Sequence, residues 1–292
     1  MYKELIEISK YEDFRELMSE DFVYFRMTGG LGNQLFGISE SYQLHKLTGK
    51  RVLLDFVHTD HYQGEIGSPF ESIAPWGVSI NTNFNLDLNF PKLCNLGYEE
   101  YSPEQNYYTG WKPVLKLIEQ NGLFLKGNLP EPWRKLLQPK VRNAISLHLR
   151  FGDYLSAKSL GGNISVDYSY VRRALKEIRQ RLQTDFVRVF SDDISRAKEL
   201  CDHLEGFEFY FIRNKTALED MIYMSQGEGI IASASTFSFW ASYFSKSKEV
   251  IFPKPFFFSN HNWEKNLIHH EWIQIRRSIR SRALRKVNHN FV

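Results

Sequence analysis

The chain has 292 residues, of which 42% are hydrophobic, 15% aromatic and 24% charged. These fractions are ordinary for a soluble globular protein, and they exclude a mainly disordered chain, a collagen-like chain and a disulfide scaffold. The 37 basic and 34 acidic residues give a net charge of +3, which is too small on its own to indicate nucleic-acid binding. The length suits one large domain or two of about 140 residues each.

The cysteines and the N-terminus indicate a compartment. Cys94 and Cys201 are far apart in the chain and form no CxxC pair, so we expect two reduced thiols rather than a zinc site or a disulfide framework. The N-terminal segment lacks the apolar region of a signal peptide. The longest uncharged stretch, residues 229–245, is shorter than the roughly 20 residues of a membrane-spanning helix. We therefore predict a cytoplasmic protein, either free or peripheral to the inner face of the cytoplasmic membrane.

The first half of the chain is predicted to contain a βαβ unit. Residues 1–21 have apolar side chains at roughly helical spacing and are predicted to form an amphipathic helix. A strand at 22–27 leads through a glycine-rich turn into a helix that Asn33 would cap and that ends near Leu47. The next strand is predicted at 51–56, which completes the building block of a parallel sheet.

The segment that follows the βαβ unit is predicted to be less regular. Residues 57–106 are rich in Asn, Pro and Gly and are expected to form a long excursion without regular elements. A helix is predicted at 111–121 and a short strand at 123–126. Prolines at 130 and 132 indicate a domain boundary.

The second half alternates strands and helices. The predicted strands lie at 144–149, 186–190, 207–212, 229–232 and 249–252, and the predicted helices at 168–182, 194–204, 217–225 and 235–244. Strands that alternate with helices in both halves predict two doubly wound α/β domains. Ligands of such sheets bind beyond the carboxyl ends of the strands.

A glycine-rich turn is the first candidate site. Residues 29–34 read GGLGNQ and lie between a strand and a helix. Glycines allow close approach of a ligand to the backbone, and a helix N-terminus favours anions, so Gly30 and Asn33 are candidate ligand contacts. The motif is neither GxGxxG nor a P-loop, and a plain tight turn explains it equally well.

The second candidate is the sequence HLRFGDY at residues 148–154, which begins where a strand ends. Arg150 would bind a diphosphate through two hydrogen bonds, and the stabilisation would increase as charge develops on a leaving phosphate. His148 would hydrogen-bond a base or a hydroxyl. The alternative is an ion pair between Arg150 and Asp153 that closes the turn, with His148 bonded inside the protein.

The third candidate is Ser191-Asp192-Asp193, which follows another strand. One carboxylate of this pair would accept both N–H donors of a guanine, and two adjacent carboxylates also suit a metal. The alternative is an N-cap for the helix that follows. The chain contains no Asp-x-Asp motif, which argues against a divalent metal that holds the phosphates.

The fourth candidate is the segment STFSFW at residues 235–240. Hydroxyls and N–H groups at a helix start hold phosphate oxygens, which makes Ser235, Thr236 and Ser238 candidate ligands. The alternative assigns the hydroxyls to helix caps and the aromatic side chains to the core. For the aromatic side chains we favour the core.

In this order the motifs resemble the α-1,2-fucosyltransferases of glycosyltransferase family 11. The family has GGLGNQ[LM]F, HxRRGDY, [FY]SDD and NS[ST]FSWW, and the corresponding residues here are 29–36, 148–154, 190–193 and 234–240. Three positions depart from the family. Phe151 replaces the second Arg of HxRRGDY, Ala234 replaces the Asn of the last motif, and Phe239 replaces one of its Trp residues.

The resemblance implies a fold and an activity. The fold is α/β of the GT-B type, with two Rossmann-like domains that face a cleft. We expect an acceptor-side domain at 1–130, a donor domain at 131–260 and a C-terminal segment at 261–292. The implied reaction transfers L-fucose from GDP-β-L-fucose to a glycan hydroxyl, which in the family is O2 of galactose. It inverts the configuration at the anomeric carbon and needs no metal or other cofactor. The implied context is surface polysaccharide biosynthesis, and a lipid-linked glycan is one possible form of the acceptor.

The resemblance also implies residue roles. Arg150 would stabilise the departing GDP, and His148 with Asp192 or Asp193 would contact guanine. The phosphates would be held by the last motif, and Gly30 and Asn33 would approach the donor from the first domain. The substrate-binding residues of that last motif are Ser235, Thr236, Phe237 and Ser238. The catalytic base is not identified, and Asp153 is a weak candidate.

The departures leave two other functions open. Phe151 and Ala234 motivate a non-catalytic member of the family that binds nucleotide or glycan. A fucosyltransferase of another linkage is the second alternative. The oligomeric state is not predicted.

The C-terminal tail changes the meaning of the net charge. Residues 276–286 contain six basic and no acidic residues, so the rest of the chain has a net charge of −3. Apolar residues recur four apart, which predicts a basic amphipathic helix over 275–287 that contacts an anionic membrane surface. The alternative partner of this helix is RNA or an acidic protein, and the simplest explanation is a solvated terminus. Of these possibilities we expect the membrane surface, and we do not expect nucleic acid as a partner.

Overall fold

The computed structural model describes residues 6–8, 22–58, 77–82, 144–152, 165–213, 216–245, 247, 249–255 and 271–277. The chain divides into two compact units, residues 1–135 and 136–292. Each unit contains a sheet in which every described strand pairing is parallel. The α/β prediction is therefore confirmed.

The first unit contains a four-stranded sheet. Its strand order is β1-β4-β3-β2. The described elements are β1 (Ile6–Ile8), β2 (Phe22–Thr28), α1 (Leu31–Thr48), β3 (Arg51–His58) and β4 (Gly77–Thr82).

The predicted βαβ unit is confirmed as β2, α1 and β3. Strands β2 and β3 pair in parallel, with Val23 opposite Val52. Helix α1 ends at Gly49, which has a φ of 73° and donates its N–H to His45 O at 2.8 Å. The left-handed conformation explains why a glycine stands there.

The cap of α1 differs from the prediction. The N-cap residue is Gly30, with extended φ of −79° and ψ of 176°, and no side chain caps the helix. Asn33 was predicted to be the cap, but it lies inside the first turn, since its N–H already donates to Gly30 O at 2.9 Å. The helix begins earlier because the extended Gly30 carbonyl already accepts helical hydrogen bonds.

Two predictions for the first unit were wrong. Residues 6–8 form strand β1 rather than part of a helix, and β4 lies within the segment 57–106 that was predicted to be irregular. The two strands pair in parallel, with Ile6 opposite Ile80. Main-chain hydrogen bonds to a neighbouring strand stabilise β1, and a periodicity within one segment does not reveal them. The predictions at 111–121 and 123–126 lie outside the described residues.

The second unit contains a six-stranded sheet. Its described elements follow the predicted alternation closely. They are β5 (Ile145–Leu149), α2 (Tyr168–Leu182), β6 (Phe186–Ser191), α3 (Ile194–Cys201), β7 (Glu208–Phe211), α4 (Ala217–Ser225), β8 (Gly229–Ile231), α5 (Thr236–Phe244), β9 (Glu249–Lys254) and β10 (Ile273–Arg276).

The strand order of this sheet locates its ligand crevice. The order is β10-β9-β8-β5-β6-β7, so the chain winds outwards from β5 in one direction and then from β8 in the other. Rossmann sheets have this order, and their ligands bind where the winding reverses, beyond the carboxyl ends of the strands. The reversal lies between β5 and β8.

The core of the second unit explains the amphipathic pattern of α2. Val171, Leu175 and Ile178 are fully buried in one cluster with the strands β5 and β6. Each such side chain contributes about 2 kcal/mol through burial. Tyr170 lies on the same helix, and its hydroxyl donates to Ala232 O at 2.7 Å, which connects α2 to the end of β8.

A last strand was missed, and it changes the interpretation of the tail. Strand β10 pairs in parallel with β9, with Ile273 opposite Ile251. Ile275 was predicted to start an amphipathic helix, but it lies in this strand, where partly buried Ile residues alternate with exposed neighbours. That period of two is typical of a strand. Residues 278–292, which include the rest of the predicted helix, lie outside the described residues.

Within the described part of the chain, no helix is both long and apolar enough to cross a membrane.

Candidate functional site

Three predicted motifs of the second unit lie at one edge of its sheet. His148 and Arg150 are at the end of β5, Asp192 follows β6, and Ser235 lies just beyond β8. Strands β5, β6 and β8 are parallel neighbours, so their carboxyl ends lie at the same edge. The motifs therefore flank the point where the winding reverses, which is the expected ligand position.

His148 is a buried and neutral imidazole. Its side chain is 5% exposed, and Nδ1 lies 2.7 Å from Ser233 Oγ. Burial, and then the positive charge of Arg150, lower the pKa of His148 to about 3. The ring lies against that of Phe237, with centroids 5.2 Å apart. In the described part of the chain no group bonds to Nε2, so this nitrogen is the ring atom that a ligand would meet.

Arg150 is held by Asp192. Its Nη1 lies 3.2 Å from Asp192 Oδ2, and the two side chains are 32% and 22% exposed. The other carboxylate oxygen, Oδ1, accepts the N–H of Phe151 at 2.9 Å. Gly152 lies directly against the carboxylate, since a Cβ there would be 2.5 Å from Oδ2. One carboxylate thus contacts all three described residues that follow β5, residues 150–152.

The alternative predicted from the sequence was an ion pair between Arg150 and Asp153, and Asp192 was predicted as a guanine contact rather than as a partner of Arg150. Asp153 lies outside the described residues. The missed signal is the strand register. Leu149 pairs with Ser191 across β5 and β6, so the next residues, Arg150 and Asp192, leave the sheet side by side.

Asp193 has a different function from Asp192. Its side chain accepts the N–H of Arg196 at 3.1 Å and caps helix α3. The same carboxylate lies 3.4 Å from the Arg196 guanidinium. The N-cap alternative therefore describes Asp193, and of the adjacent pair only Asp192 faces Arg150.

The Ser235 motif divides into cap, core and partly exposed residues. The Ser235 hydroxyl accepts the N–H of Phe237 at 3.2 Å and caps α5. Ser238 is fully buried, and its hydroxyl donates to the carbonyls of Ser233 and Ser235 at 2.9 and 3.0 Å. This hydroxyl is enclosed within the loop, and its contact with phosphate stays a prediction. Thr236 and Phe237 are half-buried at the start of the helix.

The positions that depart from the family lie in the interior. Phe151 is 6% exposed and belongs to the hydrophobic core of the second unit. Ala234 is fully buried, and Phe239 is 1% exposed and packs edge-on against Trp240. The departures change side chains of the interior, whereas Arg150 and His148 remain in place.

The turn of the first unit is tied together by its own side chains. Gln34 Nε2 donates to Gly29 O at 2.7 Å. Gly29 has a φ of 69°, and a Cβ there would lie 2.4 Å from Asn33 Nδ2. A tight turn that requires glycine is therefore present, and the contacts of Gly30 and Asn33 with a donor stay predictions.

No metal centre is found in the described ranges, since they hold no group of three or more His, Cys, Asp or Glu side chains that could bind an ion.

Comparisons with known proteins agree with the motifs. The family model "Glycosyl transferase family 11" matches residues 132–276. An O-antigen biosynthesis glycosyltransferase of Escherichia coli, WbnK, is 28% identical over 87% of this chain and 100% of its own length. An α-1,2-colitosyltransferase of Escherichia coli is 24% identical over 76% of this chain and 87% of its own length.

Solved structures show more distant similarity. The α-1,6-fucosyltransferase NodZ, soaked with GDP-fucose, is 16% identical over 77% of this chain and 93% of its own, with a TM-score of 0.45. POFUT1 in complex with GDP-fucose is 13% identical over 80% of this chain and 97% of its own, with a TM-score of 0.44. The Escherichia coli heptosyltransferase WaaC with ADP is 8% identical over 92% of this chain and 99% of its own, with a TM-score of 0.46.

Both units are α/β with parallel sheets, and the family match and the curated relatives define the class of protein as a glycosyltransferase. Residues 132–276, which carry Arg150, Asp192 and the Ser235 motif, match the model of glycosyltransferase family 11, and the resemblance predicted from the motifs is confirmed.

Proposed function

We propose that this chain transfers L-fucose from GDP-β-L-fucose to a hydroxyl of a glycan, with inversion and without a metal. The observation that carries the proposal is Arg150, a half-buried guanidinium that Asp192 orients at the winding reversal of the second sheet. A cation stabilises the charge that develops on a leaving diphosphate, and among the predicted site residues only Arg150 supplies one.

The reaction places the developing charge on the diphosphate. The acceptor oxygen forms a bond to C1 of fucose while the bond from C1 to the β-phosphate oxygen breaks, and GDP leaves with that electron pair. The Arg150 guanidinium stabilises the negative charge that grows on the phosphate, more strongly than in the ground state. The acceptor proton passes to a base that we do not assign, and Asp153 remains the weak candidate from the sequence.

His148 suits recognition of the guanine or the ribose rather than proton transfer. Its lowered pKa keeps it neutral at physiological pH, and Ser233 already occupies Nδ1. Asp192 has both oxygens engaged in the turn, so we assign it to positioning Arg150. Thr236 and Phe237, at the half-buried start of α5, are the residues of the last motif that we assign to the donor.

The acceptor and its context are inferred from relatives. WbnK is named for O-antigen biosynthesis, and the colitosyltransferase is named for an α-1,2 linkage. We therefore infer an α-1,2 linkage, with O2 of galactose as the acceptor atom, in the assembly of a surface polysaccharide. The cytoplasm is the inferred location, since GDP-sugars are made there.

The interior departures favour catalysis over the non-catalytic alternative. Phe151 and Ala234 were the reasons to consider a protein that only binds nucleotide. Both side chains are buried, and the N–H of Phe151 still donates to Asp192. The turn that orients Arg150 therefore keeps its main-chain bond although the second arginine of the motif is absent.

The test is incubation with GDP-fucose and a panel of galactosides, with EDTA present and GDP release as the readout. We expect GDP release that depends on the acceptor and is insensitive to EDTA. NMR of the product then assigns the linkage and the anomeric configuration. GDP binding by calorimetry without transfer to any acceptor would support the non-catalytic alternative instead, and a product with another linkage would keep the enzyme and change its specificity.

A further inference from the structure

A second basic site lies at the same edge of the second sheet. An open pocket of about 480 Å³ is lined by Tyr168, Ser169, Arg172, Arg173 and Arg277. Three of these five residues are arginines, and none is acidic. The pocket is bounded by the start of α2 and the residue that follows β10. Strand β10 is three positions from β5 in the sheet, which corresponds to about 14 Å from the turn of Arg150.

Neutral oxygens hold two of the arginines in place. Arg173 Nε donates to Ser169 O at 3.0 Å, and its Nη2 donates to Arg276 O. Arg277 is 3% exposed, and its Nε and Nη2 both donate to Pro255 O, at 3.0 and 2.7 Å. A carbonyl oxygen orients a guanidinium without cancelling its charge. These contacts therefore fix the direction of both guanidinium groups.

Arg172 completes the basic wall. Its side chain is exposed, and among the described residues no carboxylate pairs with Arg172 or Arg173. The carboxylate next to the pocket belongs to Asp167, and it is bonded to the N–H of Tyr170 at 2.8 Å and to the Ser169 hydroxyl at 2.6 Å. Three arginines therefore line the pocket, and the helix cap already engages the Asp167 carboxylate beside it.

We propose that this pocket binds a phosphate or diphosphate group. Planar guanidinium groups match the oxygens of such an anion through charge-assisted hydrogen bonds. Arg277 also lies in the run of six basic residues at 276–286, so the basic charge of the sequence is continuous with the pocket. The group comes either from an anionic lipid headgroup or from a soluble diphosphate. The proposal does not depend on the proposed transfer reaction, since it involves other residues than Arg150.

The experiment separates this pocket from the donor site. Pyrophosphate is titrated by calorimetry into the full chain in the Arg150→Ala background, which removes the other anion site. Arg172→Gln is the main variant, because this exposed side chain has no described partner and its loss leaves the fold intact. Lys176→Gln is the matched control, with the same change of charge one turn further along α2 but outside the pocket. A parallel arm measures co-sedimentation with vesicles of phosphatidylglycerol or phosphatidylcholine.

We expect pyrophosphate to bind about tenfold more weakly to Arg172→Gln, and weaker still after Arg173→Gln is added, because each guanidinium contributes a charge-assisted bond. The control should bind as the background does. Loss of phosphatidylglycerol binding in the same variants identifies a lipid headgroup, and unchanged vesicle binding identifies a soluble diphosphate. Equal weakening by Lys176→Gln, or no weakening by either arginine variant, overturns the proposal.

Discussion

Arg150 and Asp192 join the ends of two neighbouring strands. The guanidinium Nη1 and the carboxylate Oδ2 are 3.2 Å apart, and the register that pairs Leu149 with Ser191 brings these residues together. Because Asp192 also accepts the N–H of Phe151, its position is fixed by the backbone. Arg150 remains 32% exposed, so the pair orients the guanidinium without covering it.

The first prediction concerns Asp192→Asn. The amide keeps the shape of the carboxylate but loses the charge that orients Arg150. Misplacement of a catalytic group by about 1 Å costs up to about 100-fold in rate, so we expect kcat/KM for GDP-fucose to fall at least about tenfold. Stability should change by less than about 1 kcal/mol, because the ion pair is partly solvated. Steady-state kinetics and thermal unfolding measure the two effects.

Asp193→Asn is the matched control for this prediction. The adjacent carboxylate caps α3 and pairs with Arg196, and asparagine is an equally good N-cap. We expect both activity and stability close to those of the wild type. A similar loss of activity in both variants would contradict the assignment of Asp192 as the positioning residue.

The second prediction concerns Gly152→Ala. The added Cβ would lie 2.5 Å from Asp192 Oδ2, so either the carboxylate or the turn must move. We expect a loss of kcat/KM comparable to that of Asp192→Asn, with the fold retained. In an Asp192→Ala background the added methyl meets no carboxylate, so Gly152→Ala should have little further effect. Additive losses in the double variant would show that Gly152 acts through another contact.

The sequence predicted the second unit well because its elements are locally encoded. The spacing of apolar residues alone predicts the amphipathic face of α2 and the apolar strands β5 and β6. Strands β1 and β10 were not predicted. Each has three or four residues, and both are defined by pairing with β4 or β9 rather than by their own pattern.

The site was predicted only in part, because some of its features are encoded locally and others depend on strand pairing. His148, Arg150 and Asp192 were identified as candidates, since each lies at or just after the carboxyl end of a strand. The pairing of Arg150 with Asp192 depends on the register between β5 and β6, which no single segment contains. The burial of Ser238 depends on how its loop folds back on Ser233.

The third prediction concerns the pH dependence of stability that His148 contributes. The folded-state pKa is lowered to about 3, whereas the unfolded value is near 6.5. Below pH 6.5 the unfolded state binds a proton that the folded state does not, so stability is lost as pH falls from about 6.5 towards 3. The slope is about 1.4 kcal/mol per pH unit. Denaturant unfolding at about pH 7 and about pH 5 should therefore show a loss of about 2 kcal/mol from this residue.

His148→Gln isolates that contribution. Glutamine keeps a polar group near Ser233 but does not titrate, so the loss between these two pH values should shrink by about 2 kcal/mol. The affinity of the wild type for GDP should also not change through titration of His148 near the usual histidine pKa. An identical pH dependence of stability in both proteins would mean that His148 is charged in the folded state.

The fourth prediction concerns the thiol of Cys201. This cysteine is buried and free, and burial, followed by the charge of Asp202, raises its pKa to about 12. The thiolate is the reactive form, so native Cys201 should resist a thiol reagent at neutral pH and react fully in denaturant. A Cys94→Ser variant leaves Cys201 as the single reporter. Rapid labelling of the native variant would contradict the burial of α3 against the sheet.

The fifth prediction concerns Arg150 itself. Arg150→Ala removes the cation that we propose stabilises the departing diphosphate, and loss of such a group costs about 3–4 kcal/mol of transition-state stabilisation. We expect kcat/KM to fall by about 100-fold to 1000-fold. Arg150→Lys keeps the charge but not the bidentate fork, so it should restore only part of the rate.

Arg181→Ala is the control for charge. It also removes one guanidinium from the second unit, but this side chain is 45% exposed and pairs with Glu177 and Glu249 away from the ligand edge. Activity should remain at the wild-type level, and stability should change little, because exposed ion pairs contribute little to folding. If Arg150→Ala retains its fold by thermal unfolding and still transfers at the wild-type rate, Arg150 does not hold the donor phosphate. Such a result would overturn the assignment of this half-buried guanidinium to the donor.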